Sequence, residues 1–596
     1  MRTGGGRRPQ PVRPPVRSAV RSLGQPAGLA AGRPAAADPA DSGPAAGGWR
    51  RRLRLRSALG ARLPLLVLGL AVLTALFFRL GEVPLFDVDE GAFSEATREM
   101  LARGDYVSTW LNGQPRFDKP ILTYWLQAAS VTLFGAGEFA FRLPSALAAC
   151  AWIAATGVFA GTRFERRAGY AAAFIAASSA GVVVIGRGAI ADALLNLWLA
   201  LAMFDIMRYA AAAPAPAPAA RRYCRRAFLW IGLGLLTKGP VALLVPAAAS
   251  LLGFALQRRI PLWWRAVRDP VGWLLLLAVA APWYLLEYAR RGDAFLAGFF
   301  MRHNVERFLE PLQGHGGGAL YYVPALLLVL LPYSGLFLKV LPGLRHRQAL
   351  REPGAPDAFL WSWFLFVFVF FSCAGTKLPH YLLYGVTPLF ILMARVRHAP
   401  GPRWLAFGPP VLLLAAVAAL PWMLGYAVPQ IKNDYVREAL GRPEVFGAAW
   451  HLEAALLLGA GLGLALWRHA PPWPRLAGCG LLCAVALGGL LLPAVGELQQ
   501  GPVKEAALLA RTNGWAVHGW RINVPSFSVY RAAPTPATPV PQPGQIVLTR
   551  SDALVELARL TGQRGQNGQN GHNGHNGQGA HILYRKGGIL LLRMPE

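Results

Sequence analysis

"RLPLLVLGLAVLTALFFRL", residues 62–80, holds no charged side chain between Arg62 and Arg79. A helix of this length reaches across a hydrocarbon layer of about 30 Å. The run lacks a small-residue cleavage site, exceeds the length of a signal core and stands behind about 60 residues of tail, so it reads as a retained span. Similar runs follow at 142–161, 169–186, 189–207, 227–238, 240–256, 270–288, 319–340, 358–374, 380–394, 404–424, 447–467 and 476–496. With 54% apolar and only 15% charged residues in a chain of 596, these runs predict an all-α polytopic membrane protein of about 13 transmembrane helices. The pair of runs around Gly239 is unusually short.

The net charge of +30 would suggest nucleic acid in a soluble protein. Here the arginines sit in alternate loops, such as "TRFERR", "RRYCRR", "LRHRQALR" and "WRHAPPWPR", which the positive-inside rule places in the cytoplasm. No nucleic-acid partner is expected. The five cysteines, Cys150, Cys224, Cys373, Cys479 and Cys483, are scattered through apolar stretches and read as small packing residues.

Residues 1–60 are rich in Pro, Gly, Ala and Arg and read as a disordered cytoplasmic tail, closed by the lipid-anchoring patch "WRRRLRLR" at 49–56. Residues 61–496 form the transmembrane domain. An odd span number then puts residues 497–596 outside as a small periplasmic α/β domain. It opens with the amphipathic "ELQQGPVKEAALLARTNG" and continues in the strand-like pieces "RINVPSFSVY", "QIVLT" and "HILYRKGGILLLRM". The insert "GQNGQNGHNGHNGQG" at 565–579 reads as a low-complexity linker.

Directly after the first span comes "FDVDEGAFSEATREMLARGD", residues 86–105, with Asp87, Asp89 and Glu90 together at a membrane edge. Ala92, Phe93, Ala96, Met100 and Leu101 predict an amphipathic helix over 89–103, stopped at Gly104 and lying on the periplasmic membrane surface. One reading of the acids is structural, with Asp87 as cap and Glu90 closing a capping box. Asp89 would then favour the helix dipole. The lysines point to chemistry instead. There are 53 arginines and seven lysines, and three lysines precede a proline that opens an apolar segment: "FDKP" (117–120), "TKGP" (237–240) and "TKLP" (376–379). Free N–H groups of a first helical turn beside an ammonium suit a phosphate. All three motifs fall on the outer face. Carboxylates and phosphate-binding lysines at one membrane face suit group transfer from a phosphate-linked, membrane-held substrate.

The motifs "DEGAFSEATREML", "LNGQPRFDKPILTYWL", "FAFRLPSAL", "GRGAIADALL", "LTKGPVALL", "RHNVERFL" and "TKLPHYLL" occur in this order between residue 62 and about residue 400. Together they resemble the GT-C glycosyltransferases that use polyprenyl-phosphate sugars, above all the bacterial lipid A aminoarabinose transferases and the protein mannosyltransferase superfamily. The resemblance implies catalytic roles for Asp89, Glu90 and Asp192, with Asp89 as the leading carboxylate and Glu90 shaping the pocket. It implies that Lys119, Lys238, Arg307, Lys377, His380 and Tyr381 hold the carrier phosphate or line the pocket. It also implies a divalent metal, zinc or magnesium, between Asp118 and His303. The partners implied are a polyprenyl-phosphate-linked sugar, membrane lipids and an acceptor that is lipid A, another envelope glycan or protein, at the bacterial inner membrane. Aminoarabinose transfer to lipid A is the narrower alternative. A lipid or sugar transporter is the alternative of another class, against which the clustering of charges at one face and the lack of paired halves argue.

Overall fold

The computed structural model describes residues 63–212, 218–306, 317–318, 320–560 and 580–596. The basic tail, Arg307, the 565–579 insert and the side chain of His303 lie outside the described residues. Helix dominates, as a chain in lipid requires, because backbone N–H and C=O groups there find no water and must bond within their own segment.

The helices up to residue 291 are α1 (Leu63–Leu76), α2 (Asp89–Arg103), α3 (Leu122–Phe134), α4 (Glu138–Arg163), α5 (Arg166–Ser178), α6 (Ala180–Arg187), α7 (Asp192–Ala212), α8 (Pro218–Lys238), α9 (Val241–Leu256), α10 (Ile260–Val267) and α11 (Pro270–Arg291). Among the described residues six helices are long and apolar enough to cross a membrane: α4, α7, α11, Arg403–Gln430, Ala448–Leu466 and Pro472–Thr512. The number is eight if two bent pairs, α5 with α6 and Tyr322–Val329 with Ser334–Arg345, each count once. The expected thirteen is not reached on this measure. The run at 319–340 turns through 114°, at a break where Pro332 has no N–H to continue the first helix. The run at 380–394 is divided between a 3₁₀ helix, Pro379–Gly385, and a short α-helix, Thr387–Arg395. Hydropathy registers apolar side chains and not the path of the backbone.

Small residues let the helices approach closely, as membrane packing favours. A Cβ on Gly169 would lie 2.6 Å from the carbonyl oxygen of Gly157, so α4 and α5 pack backbone against backbone only with glycine there. Aromatic residues fill the wider gaps, with Phe159 and Phe204 stacked at 4.2 Å between ring centres and Trp152 and Trp363 fully buried.

α2 has the bounds that its pattern predicts and ends at Gly104, whose φ of +67° gives the left-handed cap that glycine allows. Its expected half-solvated position is overturned. Glu90, Glu95 and Glu99 are as buried as Phe93 and Met100, because α3 packs on the helix from one side and the helix Pro525–Arg531 from another. The buried acids are paired: Glu95 accepts two hydrogen bonds from Arg98 (2.7 and 2.6 Å), and Glu99 accepts from Arg103 and from the Gly113 N–H. Gly113 belongs to the tight Asn112–Gly113 turn between β1 (Trp110–Leu111) and β2 (Gln114–Pro115), where both residues have positive φ.

The C-terminal residues form a four-stranded mixed sheet in the order β3 (Val517–Gly519), β4 (Ile546–Arg550), β6 (Ile589–Arg593), β5 (His581–Lys586). β3 runs parallel to β4, and the other pairs are antiparallel. "IVLTR" and "ILLLR" are apolar at successive positions because both faces are covered. Ile546, Leu548 and Leu591 face Val503 and Phe527, while Val547 and Leu590 face Trp520 and Leu557. One expectation is corrected. "RINVPSFSVY" is not a strand, since Pro525 opens the helix Pro525–Arg531. The amphipathic stretch from Glu497 is helical, within Leu492–Thr512, and runs on from the apolar part of Pro472–Thr512.

Candidate active site

The three clustered acids divide into three environments. Asp87 is half-buried and accepts hydrogen bonds from the Ser526 N–H (2.9 Å) and the Ser526 hydroxyl, so it ties the start of α2 to the C-terminal region. The expected capping box does not form. Val88 holds the cap position without a side-chain bond, and Glu90 turns to Arg142 instead. Glu90 accepts from Arg142 Nε (2.9 Å) and Nη2 (2.7 Å), from the Phe86 N–H (2.9 Å) and from the Ala189 N–H (2.6 Å). Asp89 alone is exposed and makes no hydrogen bond or ion pair among the described residues. Together with Asp87, Glu90, Arg142 and Arg187 it lines a cavity of about 240 Å³ whose apolar wall includes Phe86, Val184 and Ile190.

Burial raises the Asp87 carboxyl to about 7, against the lowering effect of the Ser526 bonds, and Glu90 nearby raises it further. Burial likewise raises Glu95 to about 7, against the pull of Arg98. A carboxyl that titrates higher in the folded state than in the unfolded one stabilises the fold while protonated, and this contribution is lost as pH rises from about 4 to about 7. Thermal stability should therefore fall between pH 5 and 7.5 and level off above. Asp87→Asn should flatten part of that slope in a melting series; a variant with the full wild-type slope would refute the assignment.

The "FDKP" segment stands beside Asp89. Arg116 Nε donates to Asp118 Oδ2 (3.3 Å), and its guanidinium lies 5.3 Å from the ring of Phe93, one turn along α2 from Asp89. Arg116 is buried, which works against its charge, but Tyr124, Asp118 and Asp89 close by outweigh that and keep it cationic. Lys119 Nζ donates to the carbonyl of Asp118 (3.1 Å), so the lysine, Asp118 and Arg116 form one group next to α2.

A second group gathers around Asp192, the first residue of α7. Lys238 Nζ and the Tyr384 hydroxyl both donate to Asp192 Oδ1 at 2.7 Å, and Lys238 also donates to Tyr384 (2.8 Å). His380 Nε2 stands 3.9 Å from the same oxygen, and Lys238 lies 5.9 Å from the ring centre of Tyr381. Arg187, five residues before Asp192, takes no part in this group and donates to the carbonyls of Ala75 and Gly488. Lys377 is buried and donates to the Ala374 carbonyl (2.7 Å). At the second lysine-before-proline motif, Lys238 meets a carboxylate where an anion site was expected. Among the described residues no cluster of three His, Cys, Asp or Glu side chains could hold a metal.

The two groups share one apolar floor. Phe93, Tyr124, Ala191, Leu236 and Phe299 form a single buried cluster, with Phe93 stacked on Tyr124 at 5.1 Å. The segment 188–191 links both, since Ala189 donates to Glu90 and Ala191 precedes Asp192. Three polar residues escaped the sequence reading: Arg116, Arg142 and Tyr384. Arg116 lies inside a motif already singled out, while Arg142 and Tyr384 sit in apolar runs where only a buried charge partner justifies them.

The fold itself is known. "ArnT from Cupriavidus metallidurans bound to Undecaprenyl phosphate" superposes with a TM-score of 0.73 at 19% identity, covering 90% of this chain and 98% of that one. The chain therefore has the fold of a polytopic helical membrane protein of this kind. Residues 118–285 match the family described as dolichyl-phosphate-mannose-protein mannosyltransferase. The undecaprenyl phosphate-α-4-amino-4-deoxy-L-arabinose arabinosyl transferase of Yersinia enterocolitica is 30% identical over 74% of this chain and 77% of its own length. A second such transferase, from Sodalis glossinidius, is 32% identical over 70% of this chain and 76% of its own. The likeness to the Serratia proteamaculans transferase is higher, 35%, but spans only 58% of that relative. The chain belongs to this family of membrane glycosyltransferases.

Proposed function

We propose that the protein moves a sugar from an undecaprenyl-phosphate carrier to an acceptor at the membrane face where Asp89 lies. The sugar that its relatives' activity suggests is 4-amino-4-deoxy-L-arabinose, and lipid A is the acceptor that the family resemblance implies. The observation that carries this reading is the contrast among three acids that line one cavity: Asp87 and Glu90 are held by hydrogen bonds, while Asp89 makes none among the described residues and has the Arg116 guanidinium of the "FDKP" group nearby. In the reaction, an acceptor oxygen attacks the anomeric carbon, the bond from that carbon to the phosphate oxygen breaks, and the carrier phosphate leaves with the electron pair. A single displacement inverts the anomeric configuration. Asp89 takes the proton of an acceptor hydroxyl or orients the nucleophile, and Lys119, with Arg307, stabilises the leaving phosphate. Asp192 neutralises Lys238, so this pair with Tyr384 positions His380 and Tyr381 and adds little net charge. A zinc or magnesium ion between Asp118 and His303 belongs to the same proposal, but Asp118 already accepts from Arg116 and no step is routed through the ion. We further propose that α1, α9 and Asp357–Cys373 span with the longer helices, and that residues 497–596 act as an α/β domain on the Asp89 side.

The deciding experiment incubates the purified full chain with radiolabelled undecaprenyl-phosphate aminoarabinose and lipid A. Label in lipid A supports the reading; gradient-driven uptake into vesicles without transfer would favour a transporter. In this assay Lys119→Ala should lower kcat/KM for the carrier-linked donor about 10²-fold, the usual cost of one charge-stabilising donor. An unchanged donor dependence would exclude Lys119 from the phosphate site.

A further inference from the structure

We propose that the chain also binds an anionic phospholipid, at the end of the helix bundle remote from Asp89 and Asp192. α8 connects the two ends. Its last residue, Lys238, meets Asp192, while its first turns carry "RRYCRR". Arg221 is about 25 Å from Lys238 along the axis at the helical rise. This is close to the thickness of the hydrocarbon layer, so the arginines stand at the headgroup level of the opposite leaflet.

Arg221 and Arg225, and likewise Arg222 and Arg226, stand four apart and are neighbours on the surface of α8. They line a hollow of about 550 Å³ together with Leu229 and, from α11, Leu275. Charge in this region is unbalanced. Arg225 pairs with Asp269 (3.3 Å), and Arg208 and Arg226 share Asp205 (2.9 and 3.0 Å). Arg221 and Arg222 are exposed and have no carboxylate partner among the described residues. Two carboxylates thus face five guanidiniums, and like charges four apart on a helix repel. An anion with several oxygens relieves this, and a guanidinium fork suits a phosphodiester.

The surroundings select a lipid over a free ion. On α11, Leu274 is exposed next to Leu275, and Trp273 and Leu277 are exposed further round the helix, so α11 presents apolar side chains outward near the hollow. A phospholipid fills both parts, with its phosphate among the arginines, its acyl chains along α11, and Trp273 at the polar boundary where tryptophan prefers to sit. Inorganic phosphate would use only the charge.

The test is native mass spectrometry of the full chain released from phosphatidylglycerol- or phosphatidylcholine-containing nanodiscs. Wild type should retain phosphatidylglycerol in preference. Arg221→Gln with Arg222→Gln should weaken that retention about thirtyfold, at roughly fivefold per basic group near an anionic surface. The control is Arg345→Gln with Arg351→Gln, two exposed arginines of another loop, which should leave retention unchanged. Equal loss in both double variants would reduce the effect to general surface charge and overturn the site. Displacement of the lipid by millimolar glycerol phosphate would overturn the lipid as occupant. Retention equal to wild type in the Arg221/Arg222 variant would overturn both.

Discussion

Asp89→Asn is expected to lower kcat/KM for glycosyl transfer by about 10²- to 10⁴-fold, the range that a positioned acid or base contributes, while expression and melting stay near wild type. The asymmetry follows from the environment of the side chain. Asparagine matches aspartate in size, and Asp89 is exposed and makes no hydrogen bond among the described residues, so no hydrogen bond of the fold is lost; its charge is only one of several groups that offset the burial of Arg116. The size of the loss also reports the nucleophile. An acceptor hydroxyl must give up its proton as the new bond forms, and without Asp89 that step loses its base. A phosphate oxygen of the acceptor is already ionised, and Asp89 would then only orient it, placing the loss at the lower end of the range and mainly in kcat. The measurement is transfer of labelled sugar to lipid A and to its dephosphorylated form. Turnover within threefold of wild type on both acceptors would remove Asp89 from the chemistry.

The chemistry of this protein is more legible in its sequence than its topology is. The bounds of α2, its stop at Gly104 and the closeness of "FDKP" to the acids all follow from local pattern, because periodicity, a left-handed cap and a proline-opened segment are properties of a few adjacent residues. What failed was non-local. Whether Glu90 caps its own helix or crosses to Arg142 depends on a residue 52 positions away. Whether Lys238 holds an anion or Asp192 depends on α7 and α8 lying side by side. The span count is non-local too, since the backbone bends by 114° inside a run that remains apolar throughout.

Breaking the Glu90–Arg142 pair should be the most damaging single change to the fold. Both side chains are buried, and Glu90 binds Arg142 through two hydrogen bonds while also accepting two backbone N–H groups. Arg142 in turn donates to the carbonyls of Leu80 (3.0 Å), Val83 (2.5 Å) and Pro84 (2.9 Å). One ion pair therefore fastens the loop after the first span, the start of α2, α4 and the segment leading into Asp192. Removing one member strands the other without a countercharge, which costs about 3–5 kcal/mol. Glu90→Leu and Arg142→Met should each lower the yield of folded protein in mild detergent and abolish transfer. The double variant, with no charge left to strand, should recover much of the stability but little of the activity, because the apolar pair cannot hold Phe86 and Ala189 where Asp89 and Asp192 need them. Melting of the three variants measures this coupling. Additive losses in the double variant would mean that Glu90 and Arg142 act independently and that the pair does not organise the site.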